Sequence, residues 1–344
     1  MAMPGRDSAA CCRILTLCSV LLSTAPGLAL AERAGAAEAA PMELEGKIAL
    51  PDVHGRIDHL AVDVARQRLY VAELGNDTVG VVDLKDRKVL RTLRGFKEAQ
   101  GIGYVPSTDT LYVANAGDGT VRVFQGADLT PIGQIALGDD ADNVRVDDAA
   151  HRLFVGYGSG AIAVIDTASR AKIADVPLNA HPESFRLDHT GERIYVNVPD
   201  AHEIAVVDRA ANKQVATWPT GSLRSNFPLA WDEPRQRVVV VFRHPATIGV
   251  FRAKDGMLVS SVATCGDSDD MFMDAKRDRL YVICGAGYLE VFSPHGETFQ
   301  SIAQIPTVGG ARTGLFVPEL DRLFIAARAT LTQPAAIWVF RPMQ

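Results

Sequence analysis

The sequence predicts an all-β chain folded as a seven-bladed β-propeller, its ring closed by an N-terminal outer strand joining the C-terminal blade. Three observations predict it. A pattern of leucine or a similar residue, then an aromatic, then a β-branched residue recurs seven times at steps of 41 to 44 residues. That period matches one four-stranded blade. The first six repeats each hold four runs rich in Val, Ile, Tyr and Thr, bounded by Gly, Asn and Asp, as strands and turns require. No stretch past residue 42 sustains a helical period.

The elements follow in chain order. Residues 1–31 read as a secretory signal peptide: Arg6 and Arg13, an apolar run from Ile14 to about Leu30, then the small-x-small Ala29-Leu30-Ala31. A membrane anchor is the rival reading, but Ser23, Thr24, Pro26 and Gly27 interrupt the run and no second long apolar stretch follows. Cys18 sits in the run, but Thr16-Leu17 before it makes a poor lipobox. The expectation is a periplasmic or secreted protein without a transmembrane anchor in the mature chain. Residues 32–41 are small and polar, a flexible lead-in. The propeller is expected over 42–342.

In the first repeat, Leu60–Asp63 is the inner strand, Arg68–Glu73 the second, Thr78–Val82 the third and Lys88–Leu93 the outer strand. The motif copies are Leu69-Tyr70-Val71, Leu111-Tyr112-Val113, Leu153-Phe154-Val155, Ile194-Tyr195-Val196, the degenerate Val238-Val239-Val240, Leu280-Tyr281-Val282 and Leu323-Phe324-Ile325. After Ile337–Phe340 no outer strand remains for the seventh repeat, whereas Leu44–Leu50 is an outer-strand sequence with no blade of its own. Pairing these two closes the ring and removes an open edge.

At Leu111-Tyr112-Val113-Ala114-Asn115 the chain resembles the YVTN-type β-propeller family, named for such a strand. The resemblance covers all seven repeats. Segments such as 140–147, 181–187, 226–231 and 266–273 resemble an exported bacterial subgroup. The resemblance implies the fold strongly and function weakly, since propellers host binding, scaffolding and enzymatic roles alike.

Counting nine residues back from each motif puts inner strands at Leu60, Ile102, Val144, Phe185, Leu229, Met271 and Gly314. The two residues before each start are placed at the mouth of the central channel. The first ring reads Asp58, Gln100, Asp142, Glu183, Phe227, Asp269, Arg312; the second reads His59, Gly101, Asn143, Ser184, Pro228, Asp270, Thr313. Crowded carboxylates repel and need a counter-charge. Arg312 offsets one; a bound cation, a cationic ligand or raised pKa values offset the rest. A hydrated channel with screened charges is the plain alternative. Neighbouring loops add Asn226, Arg243 and His244, besides Glu73, His181 and Arg328. By contrast, Asp63, Asp147, Asp188, Asp232 and Asp274 recur after the inner strand in five blades, which speaks for a structural turn role.

The signal peptide carries off Cys11, Cys12 and Cys18, leaving Cys265 and Cys284 as an even pair in an oxidising compartment. Both fall on the channel-mouth side, so a disulfide closing a loop of about twenty residues is expected, with a two-cysteine metal site, which lacks a CxxC pattern, as the alternative.

The chain is mildly acidic, −6 at pH 7, and only 7% aromatic. General nucleic-acid binding is therefore not expected. No GxSxG, HExxH, P-loop or CxxCH motif occurs. Three functions stay open. The first is binding of a small molecule, ion or protein partner at the mouth. The second is a metal-assisted, lactonase-like hydrolase or lyase, with Ca²⁺ or Mg²⁺ on Asp142, Asn143, Glu183 and Asp269 and with His59 or His244 as base. The third is a scaffold that uses the sides or the opposite face.

Overall fold

Middle strands of a blade are covered on both faces by neighbouring blades, so they need near-continuous apolar runs; outer strands need only alternation. The computed structural model, which describes residues 40–344, has this pattern. Arg68–Glu73 and Thr78–Asp83 are buried almost throughout, while Lys88–Arg94 alternates between exposed and half-buried. The expected signal peptide and most of the lead-in lie outside the described residues.

Seven four-stranded antiparallel sheets follow one another. Each inner strand touches the next, and Gly314–Val317 touches Leu60–Asp63, so the sheets form a ring. One register repeats around it: Leu60 faces Val71, Ile102 faces Val113, Val144 faces Val155 and Phe185 faces Val196. Leu229 faces Val240, Met271 faces Val282 and Gly314 faces Ile325. The motif's third residue thus faces the same inner-strand position in every blade, including the degenerate fifth, although the inner strands of the second, fifth and sixth blades begin earlier than expected, at Ala99, Arg224 and Ser268.

The ring is closed by Met42–Ala49, which pairs antiparallel with Ala336–Pro342, from Met42 opposite Pro342 to Ala49 opposite Ala336. Ile48 and Leu50 are buried in a cluster that also holds Leu60 and Leu69 of the first blade and Phe324 and Ile337 of the last. Lys47 lies over the Trp338 ring at 3.6 Å, and Glu45 takes the Nε of Arg322 at 2.5 Å. One strand therefore joins the two ends of the ring through apolar, cation–π and ionic contacts.

The recurrent aspartates hold turns. Asp63, Asp147, Asp188 and Asp274 accept backbone N–H bonds from Arg66, Ala150, Glu192 and Lys276 at 2.9–3.1 Å. Asp232 differs: it accepts from side chains instead, taking Nη2 and Nε of Arg237 at 2.8 and 3.2 Å. No helix among the described residues is long and apolar enough to cross a membrane.

Candidate functional site at the channel mouth

Just before each inner strand the backbone is still tied to the second strand. Asp58, Asp142 and Glu183 donate their N–H groups to the carbonyls of Ala72, Gly156 and Asn197 at 2.8–2.9 Å. Equivalent bonds in three blades hold three carboxyl side chains at equivalent ring positions. They line a cavity of about 360 Å³ together with His59, Gln100, Asn143, Arg243, Asp269 and Arg312. These nine side chains, all expected at the mouth, therefore meet there.

Gly101 makes this approach possible. A Cβ on it would overlap the carbonyl oxygen of Asp142 in the next blade, so only glycine fits between these two backbones.

His59 stands at the floor of the cavity. Its Nδ1 is 3.4 Å from Asp270, and its Nε2 is 3.7 Å from both Asp58 and Asp142. Burial opposes its charge, but Asp270, Asp58 and Asp142 outweigh burial and raise the imidazole to about 10. Burial likewise opposes ionisation of Asp270, yet His59 and the Gly314 N–H keep it below the usual carboxylate range. This pair is an imidazolium–carboxylate bond at neutral pH.

On the opposite wall Asp269 is spanned by two guanidinium groups, the Nη2 of Arg243 and the Nε of Arg312, the latter at 2.7 Å. Burial outweighs both and lifts Asp269 to about 6. Arg243 also lies 3.6 Å above the Phe227 ring, and Arg312 reaches Asp267 at 3.0 Å. Arg56 pairs with Asp58 at 2.7 Å without hydrogen-bond alignment, leaving that buried oxygen without a hydrogen bond.

Two carboxyls remain. Asp142 takes the Asn143 amide at 3.1 Å on one oxygen, but its other oxygen is buried without a hydrogen bond. Burial raises its pKa. Glu183 lines the cavity, and burial with Asp142 and Asp269 nearby pushes it up to about 8. The mouth is thus a polar cavity with a surplus of carboxyl oxygen.

Asn226, His244 and Asp270, also expected at the mouth, lie elsewhere. Asn226 is fully buried, donating to Asn197 Oδ1 and to the Glu203 carbonyl at 3.1 and 2.9 Å. A register shift between Asn226 and Leu229 turns it into the interior. His244 is exposed at the end of its strand, 3.2 Å from Ser225 Oγ. Asp270 faces the channel below His59, because a register shift between Ser268 and Asp270 sends Asp269 into the cavity and Asp270 away from it.

Arg56 escaped the sequence reading, although it lies two residues before Asp58, the same-side spacing in extended chain. His181, a loop residue in that reading, reaches the cavity and donates from Nδ1 to Gly158 O at 2.6 Å.

Cys265 and Cys284 form a disulfide across 19 residues, beside the loop that carries Asp267 and Asp269. Oxygen ligands for Ca²⁺ or Mg²⁺ are present in Asp142, Asn143, Glu183 and Asp269. Asp269, however, is already held by Arg243 and Arg312, and among the described residues no group of three or more His, Cys, Asp or Glu is arranged to hold a metal ion.

Solved structures share this architecture. A chain of the mitotic checkpoint complex superposes with a TM-score of 0.75 at 14% identity, covering 95% of this chain and all of that one. The likeness is one of fold. The WD40 repeats of RRP9 give 0.75 at 9%, covering 89% of this propeller and 98% of theirs. Hydrazine synthase of Kuenenia stuttgartiensis gives 0.70 at 16%, covering 82% and 96%. No family model and no curated protein matches the sequence.

Proposed function

We propose that the protein is an exported YVTN-type propeller that binds a small organic cation in the mouth of its channel. The seven motif copies and the signal-peptide pattern support the family and the location. The fold is consistent with a scaffold that binds a ligand or a protein.

One observation carries the ligand class. Asp58, Asp269 and Asp270 each have a cationic nitrogen at 2.7–3.4 Å, whereas Asp142 has only the His59 Nε2 at 3.7 Å, with that buried oxygen left without a hydrogen bond, and Glu183 has no side-chain donor. Both face a cavity of about 360 Å³, ample for a small polar molecule. A guanidinium or ammonium group supplies the missing charge and the missing donors together. A divalent ion is less suited, because Arg243 and Arg312 already occupy Asp269.

Calorimetric titration with methylguanidinium, against neutral methylurea, tests this. The cation binds at least tenfold tighter, and Glu183→Gln removes most of that preference. Equal binding of the two molecules, or an unchanged preference in Glu183→Gln, overturns the proposal.

A further inference from the structure

The channel changes character below His59. The residues that follow the seven register positions Leu60, Ile102, Val144, Phe185, Leu229, Met271 and Gly314 are Ala61, Gly103, Arg145, Arg186, Ala230, Phe272 and Leu315. Five are apolar or glycine; two adjacent ones are arginines. Arg145 donates from Nε to Phe185 O at 2.9 Å, and Arg186 from Nη1 to the same oxygen at 3.1 Å. Both also reach Ser184 Oγ, at 3.2 and 3.3 Å. Two guanidinium groups thus converge on shared acceptors, and every acceptor is neutral. Neither has a carboxylate within ion-pair distance, and the carboxylate lining this stretch, Asp270, is taken by His59. Like charges so placed raise each other's cost: burial and Arg186 lower Arg145 to about 9.

The donors left over have a direction. Arg186 spends Nη1 on Ser184 and Phe185, while Nη2 has only a 3.5 Å contact to Met271 O and Nε has no partner. The Nε–Nη2 edge is the side of the guanidinium that takes a carboxylate through two parallel bonds. Arg186 also lines a cleft of about 530 Å³ on the far side of the channel, against Trp231, Met271, Phe272, Met273 and Phe316. The acidic groups on that cleft's rim are already satisfied. Asp232 holds Arg237, Glu233 accepts from the Trp231 indole and meets His189, Asp278 holds Arg235, Asp274 holds Arg277, and Asp321 takes Arg277 and Lys276. Of the lining side chains Arg186, Arg235, Lys276 and His189, the last three each meet a carboxylate and Arg186 does not.

We propose that this end of the channel binds a small organic carboxylate, its head on the free edge of Arg186 beside Arg145 and its apolar body in the cleft. The site is separate from the mouth and opposite to it in ligand charge. The neutral bonds of Arg145 and Arg186 fix their geometry before the ligand arrives, and the ligand supplies the charge they lack.

The test is calorimetric titration of the full chain with 1-naphthoate and with 1-naphthalenemethanol, which has the same body and no charge. The acid is expected to bind at least tenfold tighter, and Arg186→Gln to erase the preference. Arg186→Lys, which keeps the charge and loses the flat edge, is expected to bind the acid several-fold more weakly, and it serves where the glutamine variant does not fold. Absence of binding by the acid, equal affinity for the two molecules, or a preference intact in either folded variant overturns the proposal.

Discussion

Glu183→Gln is expected to make the fold more stable at alkaline pH while it removes most of the preference for a cationic ligand. In the unfolded chain the Glu183 carboxyl ionises near 4.5; in the fold it holds its proton to about 8. Below about 4.5 both states are protonated and the residue contributes no pH dependence. Between about 4.5 and 8 the unfolded chain ionises alone, so stability falls as pH rises. Above about 8 the full penalty is in place. At 1.36 kcal/mol per pH decade this amounts to at most about 5 kcal/mol. Glu183 lines a cavity that water reaches, and screening trims the figure to about 2 kcal/mol. Glutamine keeps the shape and cannot ionise, and it also relieves Asp142 and Asp269, in the same direction. Urea denaturation of both proteins at pH 4, 7 and 9 reads the result: a gap near zero at pH 4 that opens in favour of the variant by pH 9. A gap equal at all three values, or a variant less stable at pH 9, refutes the reasoning.

Four other outcomes follow from the same geometry. Methylguanidinium keeps its charge throughout, so its binding reports Glu183: affinity is expected to rise about tenfold between pH 7 and 9, as the ionised fraction climbs from about one in ten, and a flat titration profile contradicts this. Gly101→Ala forces the Asp142 loop away, with an expected loss of about 2 kcal/mol on denaturation and weaker cation binding; an unchanged melt contradicts it. A chain beginning at residue 52 loses the burial of Ile48 and Leu50 and with it about 4 kcal/mol, read as a lower melting temperature. Replacing Cys265 and Cys284 together by serine costs about 3 kcal/mol on urea denaturation; two free thiols in the native protein would remove that prediction.

The fold was legible because the repeat is a backbone fact. Each motif's third residue pairs with the same inner-strand position, so counting nine residues back from the motif's start lands on the same place in all seven blades. The orphan run at Leu44–Leu50 and the missing outer strand after Phe340 left one way to close the ring. The mouth was legible for the same reason: Asp58, Asp142 and Glu183 are held by equivalent bonds. Reading failed where a bulge breaks the alternation. In the fifth and sixth blades an irregularity just before the core register turned Asn226 inward and sent Asp270 below the floor. Arg145 and Arg186 were passed over because inner strands read as core. Their stems are apolar enough to sit there while the heads find backbone carbonyls, and no hydropathy pattern distinguishes that from an interruption.

The closing strand also sets an order of events. Met42–Ala49 is made before any blade, yet its partner, Ala336–Pro342, is made after nearly all of them. Six blades can assemble from neighbours in the chain, each using short hairpins. The seventh must wait while the oldest strand remains unpaired across the whole synthesis of the domain. Until it docks, the edge at Ala336–Pro342 is open to the matching segment of any other copy. At high concentration the predicted failure is therefore exchange of this one strand between molecules, with every other blade intact.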